Sequence, residues 1–413
     1  MKKDLILTFA TEFLILGLGL LCFRIAGYKF GSEGFAIYNL GRRGVTFLAS
    51  TMALGLGVAI PRYVAFNKDR SEVANQFFIS GLLILTLNGL VFGLVSLFIP
   101  HLLSEVIFGN PNFKLSVWGI SLSLIGLSFH GAVYGFLRGR LRMRAANLIQ
   151  LLNNAFFPFI SVLLIWDVEM VFILNGAFIL LNSWFFLFLT MRNLNLRVFS
   201  QMDRNTLKTL LSYGLQRVPG DFGLAALLAL PAFTLSQIGG THLGGMMAFG
   251  ISLMSMLGAT MAPIGLIFLP KTAQLISENK LHHIKIPVLK IITTSLLIGL
   301  SALIIFIIGG ETLINLFIEN PKKELYNIIT FPLIASLFYL QYVSLRSILD
   351  AAHFKSINTF NILISLFILV FGVIISNVFS SEPYFVYLGF IFSFAFLGIK
   401  TLVDTRKLFR NLT

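Results

Sequence analysis

The sequence is a succession of apolar runs of about twenty residues, separated by short polar tracts. A helix of about 20 residues crosses the ~30 Å hydrocarbon core of a membrane. Apolar residues make up 57% of the chain and charged residues only 12%, too few for a soluble surface. The chain is therefore predicted to be an all-α integral membrane protein. Its twelve predicted spans are roughly 5–27, 36–60, 77–99, 115–137, 148–166, 171–191, 212–236, 246–269, 288–309, 329–349, 357–378 and 384–403.

Basic residues predict the orientation of these spans. Most of the 31 Lys and Arg residues lie at the N-terminus, in every second loop and in the C-terminal tail. Because cytoplasmic loops are enriched in these residues, both termini are predicted to be cytoplasmic. The net charge of +14 follows from the same loops, so nucleic acid is not expected as a partner. The N-terminal run has no clean small-residue cleavage site, and we expect it to stay as the first helix.

The sequence contains few motifs that indicate a disulfide, a metal site or an enzymatic site. One cysteine, Cys22, allows neither an internal disulfide nor a cysteine metal site. A phosphate-cradling Gly-Lys-Ser/Thr loop is missing from the sequence, so the chain is not expected to hydrolyse a nucleotide. We therefore expect no metal, no cofactor and no enzymatic activity. Energy for any transport would then come from coupling to H⁺ or Na⁺, from the membrane potential, or from consumption of the product.

The two halves of the chain match each other at an offset of about 209 residues, which indicates an internal repeat. The matching pairs are Glu12 with Asp221, Pro61 with Pro270, Asn110-Pro111 with Asn320-Pro321, Tyr134 with Tyr342, and Arg138 with Arg346. Six helices in each half make the repeats parallel, related by an axis along the membrane normal.

The repeat predicts the domain organisation. A six-helix bundle over 1–191, a basic cytoplasmic linker over 192–211 and a second six-helix bundle over 212–413 are expected. In folds of this kind the substrate binds between the halves, and one half rocks against the other to give alternating access. The architecture thus favours a transporter over a membrane enzyme.

Three stretches resemble a known family. They are Gly27-Tyr-Lys-Phe-Gly-Ser-Glu-Gly-Phe-Ala-Ile-Tyr38, Tyr213-Gly-Leu-Gln-Arg-Val-Pro219 and Leu269-Pro-Lys-Thr-Ala273. Together with the helix count, they resemble the polysaccharide-exporter branch of the MOP (MATE-like) superfamily. The drug-exporting MATE branch shares the twelve-helix fold, so a cation-coupled multidrug or small-molecule exporter stays open as the alternative.

The resemblance implies a Wzx-type flippase. Such a protein moves a polyprenyl-pyrophosphate-linked oligosaccharide, for example the O-antigen unit of a lipopolysaccharide, from the cytoplasmic to the outer leaflet of the bacterial inner membrane. A monomer surrounded by membrane lipids is expected. A polysaccharide polymerase and chain-length machinery are the protein partners that the resemblance implies.

Ionisable side chains inside spans are costly, so each is a candidate functional residue. Four arginines, Arg24, Arg42, Arg43 and Arg217, are predicted to form a cationic cavity for the pyrophosphate, since guanidinium groups bind phosphate oxygens bidentately. Each also has a structural alternative. Arg24 could reach the outer interface, and only one of the neighbours Arg42 and Arg43 is expected to face a cavity, with Arg43 slightly preferred. Arg217 could simply neutralise Asp221, one helical turn away.

Two acids complete the candidate site, and three amides are weaker candidates. Glu12 and Asp221 are predicted to couple transport to an ion, with pairing of Glu12 to an arginine of another helix as the alternative. Asn153, Asn154 and Asn361 lie in spans. They are expected either to contact sugar hydroxyls or to form hydrogen bonds between helices.

Overall fold

The computed structural model describes residues 2–192, 194, 204–278, 280–318, 323–352, 357–378 and 383–410. All regular secondary structure within these ranges is helical. The α-helices are α1 (Lys2–Met52), α2 (Leu56–Phe66), α3 (Ser71–Phe98), α4 (Pro100–Phe108), α5 (Lys114–Gly139), α6 (Met143–Leu151), α7 (Phe157–Leu164), α8 (Val168–Arg192), α9 (Arg204–Leu215), α10 (Val218–Ser277), α11 (Lys285–Asn315), α12 (Lys323–Ala352), α13 (Ile357–Val378) and α14 (Pro383–Arg410). A π-helical turn covers Leu152–Phe156 and a 3₁₀ turn covers Leu281–Ile284.

Ten helical segments in the described ranges are long and apolar enough to cross a membrane. The protein is therefore an all-helical, multi-pass membrane protein, as the sequence predicts. Two of the segments, Ile6–Met52 with 47 residues and Val218–Met261 with 44, exceed the length of one span. At about 1.5 Å per residue, a straight helix of either length would be more than twice as long as the ~30 Å hydrocarbon core.

Both long helices are interrupted by one glycine. Gly31 has φ 65° and ψ −171°, and Gly240 has φ 81° and ψ 169°. This backbone conformation is essentially restricted to glycine, because a Cβ would be strained there. A single residue thus makes each turn where the sequence predicts a short loop. The two glycines are separated by the same offset of about 209 residues that relates the sequence halves.

A second kind of break divides the predicted span 36–60. The first helix ends at Met52, and α2 begins at Leu56 after a turn in which Leu54 (φ 46°) and Gly55 (φ 68°) are left-handed. The side-chain amide of Asn88 in α3 donates a hydrogen bond of 2.5 Å to the carbonyl of Met52. This bond supplies a partner for a carbonyl that the helix end leaves open.

The chain divides into two compact units, Met1–Ala225 and Ala226–Thr413, and the boundary falls inside α10. The predicted division into 1–191, 192–211 and 212–413 stays a prediction. Half of the predicted linker, residues 193 and 195–203, lies outside the described residues, as does Asn320-Pro321.

Helix α5 lies at the centre of the first unit, against α3 and α8. Small residues allow the close approach: a Cβ on Gly119 would lie 2.3 Å from the Phe172 backbone, and one on Gly176 would lie 2.5 Å from the Gly119 carbonyl oxygen. In the second unit α14 packs against α12 and α13. Such contacts replace the hydrophobic effect as the force that holds helices together in lipid.

Lys29 stabilises the end of α7. Its ammonium donates hydrogen bonds to the carbonyls of Val162, Leu163 and Ile165 at 2.9, 2.9 and 2.7 Å. It also lies 4.4 Å from the Trp166 ring centroid. A cation at a helix C-terminus both satisfies open carbonyls and complements the helix dipole.

Replacing Gly31 or Gly240 with alanine tests the turns. We expect each variant to lose about 1–3 kcal/mol of unfolding free energy through backbone strain alone, since no other atom lies within 4 Å of the new Cβ. Thermal unfolding of the purified protein in detergent measures the loss. Gly57→Ala is the control, because Gly57 is helical with equally open surroundings. Equal losses at all three positions would contradict this explanation.

Replacing Lys29 with methionine tests the cap of α7. We expect this variant to melt at a lower temperature, with a loss of about 1–3 kcal/mol from the charge-assisted hydrogen bonds. Lys114→Met serves as the matched control, since the Lys114 side chain makes no hydrogen bond to the described residues. A Lys29 variant as stable as that control would rule the cap out as a stabilising contact.

Candidate functional site

A cavity of about 120 Å³ lies inside the first unit, between α1, α5, α7, α8 and the π-helical turn. Its polar lining consists of Tyr38, Arg42, Thr46, Asn153, Asn154 and Asn175. Among the described residues that line it there is no carboxylate. Thr46 is exposed, so the cavity opens at the surface of the unit. The cavity therefore combines one permanent positive charge with hydroxyl and amide groups.

Arg42 is held against aromatic rings. Its guanidinium carbon lies 4.6 Å from the Phe23 ring centroid and 5.6 Å from that of Tyr38. Tyr38 in turn packs on Phe172 of α8, with ring centroids 6.1 Å apart. Cation–π contact attracts the guanidinium to these rings without neutralising its charge. The buried Nη1 atom of Arg42 has no hydrogen-bond partner among the described residues.

The π-helical turn at Leu152–Phe156 brings two asparagines to the cavity. Pro158 follows this turn and has no N–H to donate to the carbonyl of Asn154, four residues earlier, so a regular α-helix is disfavoured here. The backbone widens instead, and the N–H of Phe157 bonds to the carbonyl of Leu152. Asn153 and Asn154 then both line the cavity. Turns of this kind are frequent at functional sites.

Asn153 connects three helices through its side chain. Its amide nitrogen donates to the Ser183 hydroxyl at 2.9 Å and lies 3.0 Å from Nδ1 of His130, while its amide oxygen accepts from Asn182 at 2.8 Å. Since that nitrogen can only donate, Nδ1 of His130 accepts and its proton lies on Nε2. Asn153 thus forms the interhelical hydrogen bonds that the sequence left as one of two alternatives.

A row of side chains on α5 continues from this network. The His130 ring stacks on Tyr134 with centroids 5.3 Å apart, and the guanidinium of Arg138 lies 5.4 Å from the Tyr134 centroid. Arg138 interacts electrostatically with Glu12 of α1.

The structure distributes the other predicted residues rather than collecting them. Arg24 is exposed, whereas Arg43 is buried and does not line the cavity. Arg217 and Asp221 lie at the break between α9 and α10, where the N–H of Arg217 bonds to the Gly214 carbonyl. Of the four predicted arginines, the cavity contains Arg42 alone. Their binding of pyrophosphate stays a prediction.

The second unit has its own buried polar cluster. Asp404 of α14 pairs with Lys400 at 2.5 Å and accepts a hydrogen bond of 3.0 Å from Asn361 of α13. Asn358 donates to Asp350 and to the Arg346 carbonyl, each at 2.8 Å. These bonds join α12, α13 and α14. Asn361, like Asn153, therefore forms interhelical hydrogen bonds.

Sequence reasoning missed several of these residues. His130 is ionisable and lies in a predicted span, so the rule that selected the arginines also applies to it. Tyr38 precedes Arg42 by four residues, and Thr46 follows it by four, so all three share one helical face. Asn175 is an amide in the predicted span 171–191, so the reasoning that selected Asn153 applies to it as well. Among the described residues no group of three or more His, Cys, Asp or Glu could hold a metal ion.

Neither a family model nor a curated protein sequence matches the chain. Several solved structures, however, match its fold. An inward-facing multidrug resistance MATE family transporter of the MOP superfamily superposes with a TM-score of 0.79 and 16% identity, over 99% of this chain and 98% of that chain. The eukaryotic MATE transporter AtDTX14 has a TM-score of 0.69 and 12% identity, over 100% and 99%.

A third neighbour is a MOP superfamily transporter from Pyrococcus furiosus, whose binding pocket is described as having reverse polarity, suggesting a different function. It has a TM-score of 0.70 and 15% identity, over 100% of this chain and 96% of that one. The chain therefore has the fold of the MATE transporters of the MOP superfamily.

Asn153→Ala tests the hydrogen-bond network. The change leaves His130, Asn182 and Ser183 without this partner in a low-dielectric interior. We expect a loss of about 1–2 kcal/mol in unfolding free energy, measured by thermal unfolding in detergent. The neighbouring Asn154→Ala is the control, because Asn154 makes no hydrogen bond to the described residues. Equal stability of the two variants would contradict a structural role for Asn153.

Proposed function

We propose that this protein is a transporter, not an enzyme, and that it moves a polyprenyl-pyrophosphate-linked oligosaccharide from the cytoplasmic to the outer leaflet by alternating access. The observation that carries the substrate class is the set of three arginines, Arg24, Arg42 and Arg43, within the apolar segment Ile6–Met52 of a MATE-like fold. A lipid-linked pyrophosphate cannot cross about 30 Å of hydrocarbon unaided, because its charge would be stranded. Arginines are the side chains best suited to escort it.

Twelve spans in two parallel six-helix bundles are part of this proposal. Counting each glycine-interrupted helix as two raises the ten spanning segments to twelve. Two observations support the repeat. Gly31 and Gly240 interrupt their helices at equivalent positions, and one contact between side chains occurs in both halves. Arg346 lies 6.0 Å from the Tyr342 ring centroid, the same pairing that Arg138 makes with Tyr134 in the first unit. Corresponding positions in the two halves thus make the same contact.

The charge of the cavity favours an anionic substrate. Arg42 lines it, and the described lining residues include no carboxylate, whereas a site for cationic drugs would favour negative groups. The Pyrococcus neighbour is itself described as having a pocket of reverse polarity. A multidrug exporter remains the alternative outcome of the experiment below.

Ion coupling through Glu12 and Asp221 stays a prediction, with H⁺ or Na⁺ as the coupling ion. The electrostatic interaction between Arg138 and Glu12 is what the competing structural role would require. We also propose the inner membrane as the location, with both termini in the cytoplasm. The polymerase and chain-length machinery remain proposed partners.

Arg24 offers the sharpest test of pyrophosphate binding, since its side chain is exposed and its replacement should leave the fold intact. In a host lacking the gene, lipid-linked oligosaccharide should accumulate in the cytoplasmic leaflet, and the intact gene should reverse this. We expect Arg24→Ala to slow flipping about 10- to 100-fold, the loss of a charge-assisted contact of ~1.5–3 kcal/mol. Arg24→Lys should retain part of the activity.

Lys114→Ala is the control for this experiment, because it removes another cation predicted to lie on the outer side. Normal flipping by Arg24→Ala would remove this residue from the proposed pyrophosphate site. Unchanged lipid intermediates in the deletion strain, together with greater sensitivity to cationic drugs, would overturn the flippase proposal. The multidrug exporter would then replace it.

A further inference from the structure

Two connections of the first unit, the α2–α3 loop and the α5–α6 turn, are held together. The end of α5 packs directly on the end of α2, since a Cβ on Gly139 would lie 2.6 Å from the Cβ of Val64. The Arg140 guanidinium then donates hydrogen bonds to the carbonyls of Lys68 and Ser71 at 3.4 and 3.2 Å. The two connections therefore present one continuous surface at this end of the unit.

Leu141 in the α5–α6 turn has a backbone conformation that leucine rarely adopts. Its φ of 57° is left-handed. The N–H of Leu141 bonds to the Arg138 carbonyl at 3.0 Å, and that of Arg142 bonds to the Leu137 carbonyl at 2.8 Å. This pair of bonds ends many helices, usually with glycine at the left-handed position because a Cβ is strained there. The Leu141 residue is 76% exposed, so packing within the unit does little to offset the strain.

A second large apolar side chain lies on the neighbouring loop. Phe66, the last residue of α2, is 84% exposed. Neither Phe66 nor Leu141 belongs to one of the ten helical segments that are long and apolar enough to cross a membrane. Their exposure therefore fits the membrane interface better than the hydrocarbon core, since Phe and Leu side chains insert there beside basic residues.

Basic residues surround these two side chains. Residues 62–72 and 138–144 contain seven Lys and Arg residues and only two acids. Lys68, Arg70 and Arg142 are exposed, and none of them forms an ion pair with the described residues. The surface thus has an excess of positive charge that an external anion can balance. Its apolar side chains further require that this anion carry apolar groups.

We infer that this surface binds an anionic phospholipid of the surrounding membrane. It consists of Phe66, Lys68, Arg70, Leu141 and Arg142. The cations pair with the phosphate of the headgroup, and the two apolar side chains contact the adjoining acyl chains. Leu141 thereby gains the apolar contact that the unit itself does not give it. The bound molecule is a lipid of the bilayer and not the transported substrate, so the inference holds for a flippase and for a drug exporter alike.

The side of the membrane agrees with this partner. Both connections are predicted to be cytoplasmic from the distribution of basic residues. The cytoplasmic leaflet is the one whose anionic lipids attract basic segments next to a membrane span, with a contribution from each Lys or Arg near the surface.

Native mass spectrometry of the delipidated protein in detergent tests the inference. The probes are phosphatidylglycerol and phosphatidylcholine with the same acyl chains. We expect the first phosphatidylglycerol to bind at least tenfold more tightly than the first phosphatidylcholine. Lys68→Gln combined with Arg142→Gln should lower the phosphatidylglycerol affinity roughly 10- to 30-fold, at about fivefold for each cation.

Leu141→Gly separates lipid contact from folding. Because glycine adopts the left-handed conformation without strain, this variant should unfold at the same temperature as the intact protein or at a higher one. It should nevertheless bind phosphatidylglycerol severalfold more weakly, since an apolar contact with the lipid is lost. A residue with a purely structural role would not combine these two results.

Lys285→Gln combined with Lys290→Gln is the matched control, because it removes two exposed lysines of α11 in the second unit. It should bind phosphatidylglycerol like the intact protein. Four results would overturn the inference: equal affinity for the two lipids, equal losses in the two double variants, unchanged binding or lower stability of Leu141→Gly, or displacement of the lipid by an equal concentration of inorganic phosphate. Lipid binding is measured without transport, so its failure would leave the proposed function untouched.

Discussion

Inside hydrocarbon, the protein must itself satisfy every backbone hydrogen bond, and this requirement explains the irregular positions of its helices. With no water to bond an open N–H or C=O, a spanning chain must stay helical or find side-chain partners at each irregularity. The described breaks follow this rule. Gly31 and Gly240 confine a turn to one residue, Asn88 bonds the open carbonyl of Met52, and Lys29 bonds three carbonyls at the end of α7.

The same constraint explains why a cavity forms in the first unit. Pro158 cannot complete the α-helical ladder, the helix widens into a π turn, and two consecutive asparagines reach the interior. Asn153 forms hydrogen bonds between helices, whereas Asn154 lines the cavity without a hydrogen bond to the described residues. Beside them, Arg42 keeps its charge between aromatic rings. An irregularity forced by proline chemistry thereby becomes a polar site inside an apolar bundle.

Under the proposed repeat, the two halves share a scaffold but differ in charge. At the repeat offset of about 209, Tyr38 and Arg42 correspond to Met247 and Ile251, which are fully buried apolar residues. Asn153 corresponds to Asn361 at the slightly shorter offset of the Tyr134 pair, and both asparagines join helices. Structural polar groups thus recur in both halves, while the cavity charge does not. That difference is expected if one half has specialised for binding.

The all-helical membrane class can be read from the sequence, because its apolar runs have the length of spanning helices, which satisfy their backbone groups within one segment. The sequence also singled out Arg42 and Asn153 as candidates, since a charge or amide in a span is rare enough to be informative. The packing of the helices, by contrast, places Arg42 rather than Arg43 at the cavity, with Asn175 of α8 also in its lining, and brings Arg138 into electrostatic interaction with Glu12. These outcomes depend on which helix faces pack together. In lipid that choice follows from close contact between small residues such as Gly119 and Gly176, which apolar patterning does not encode.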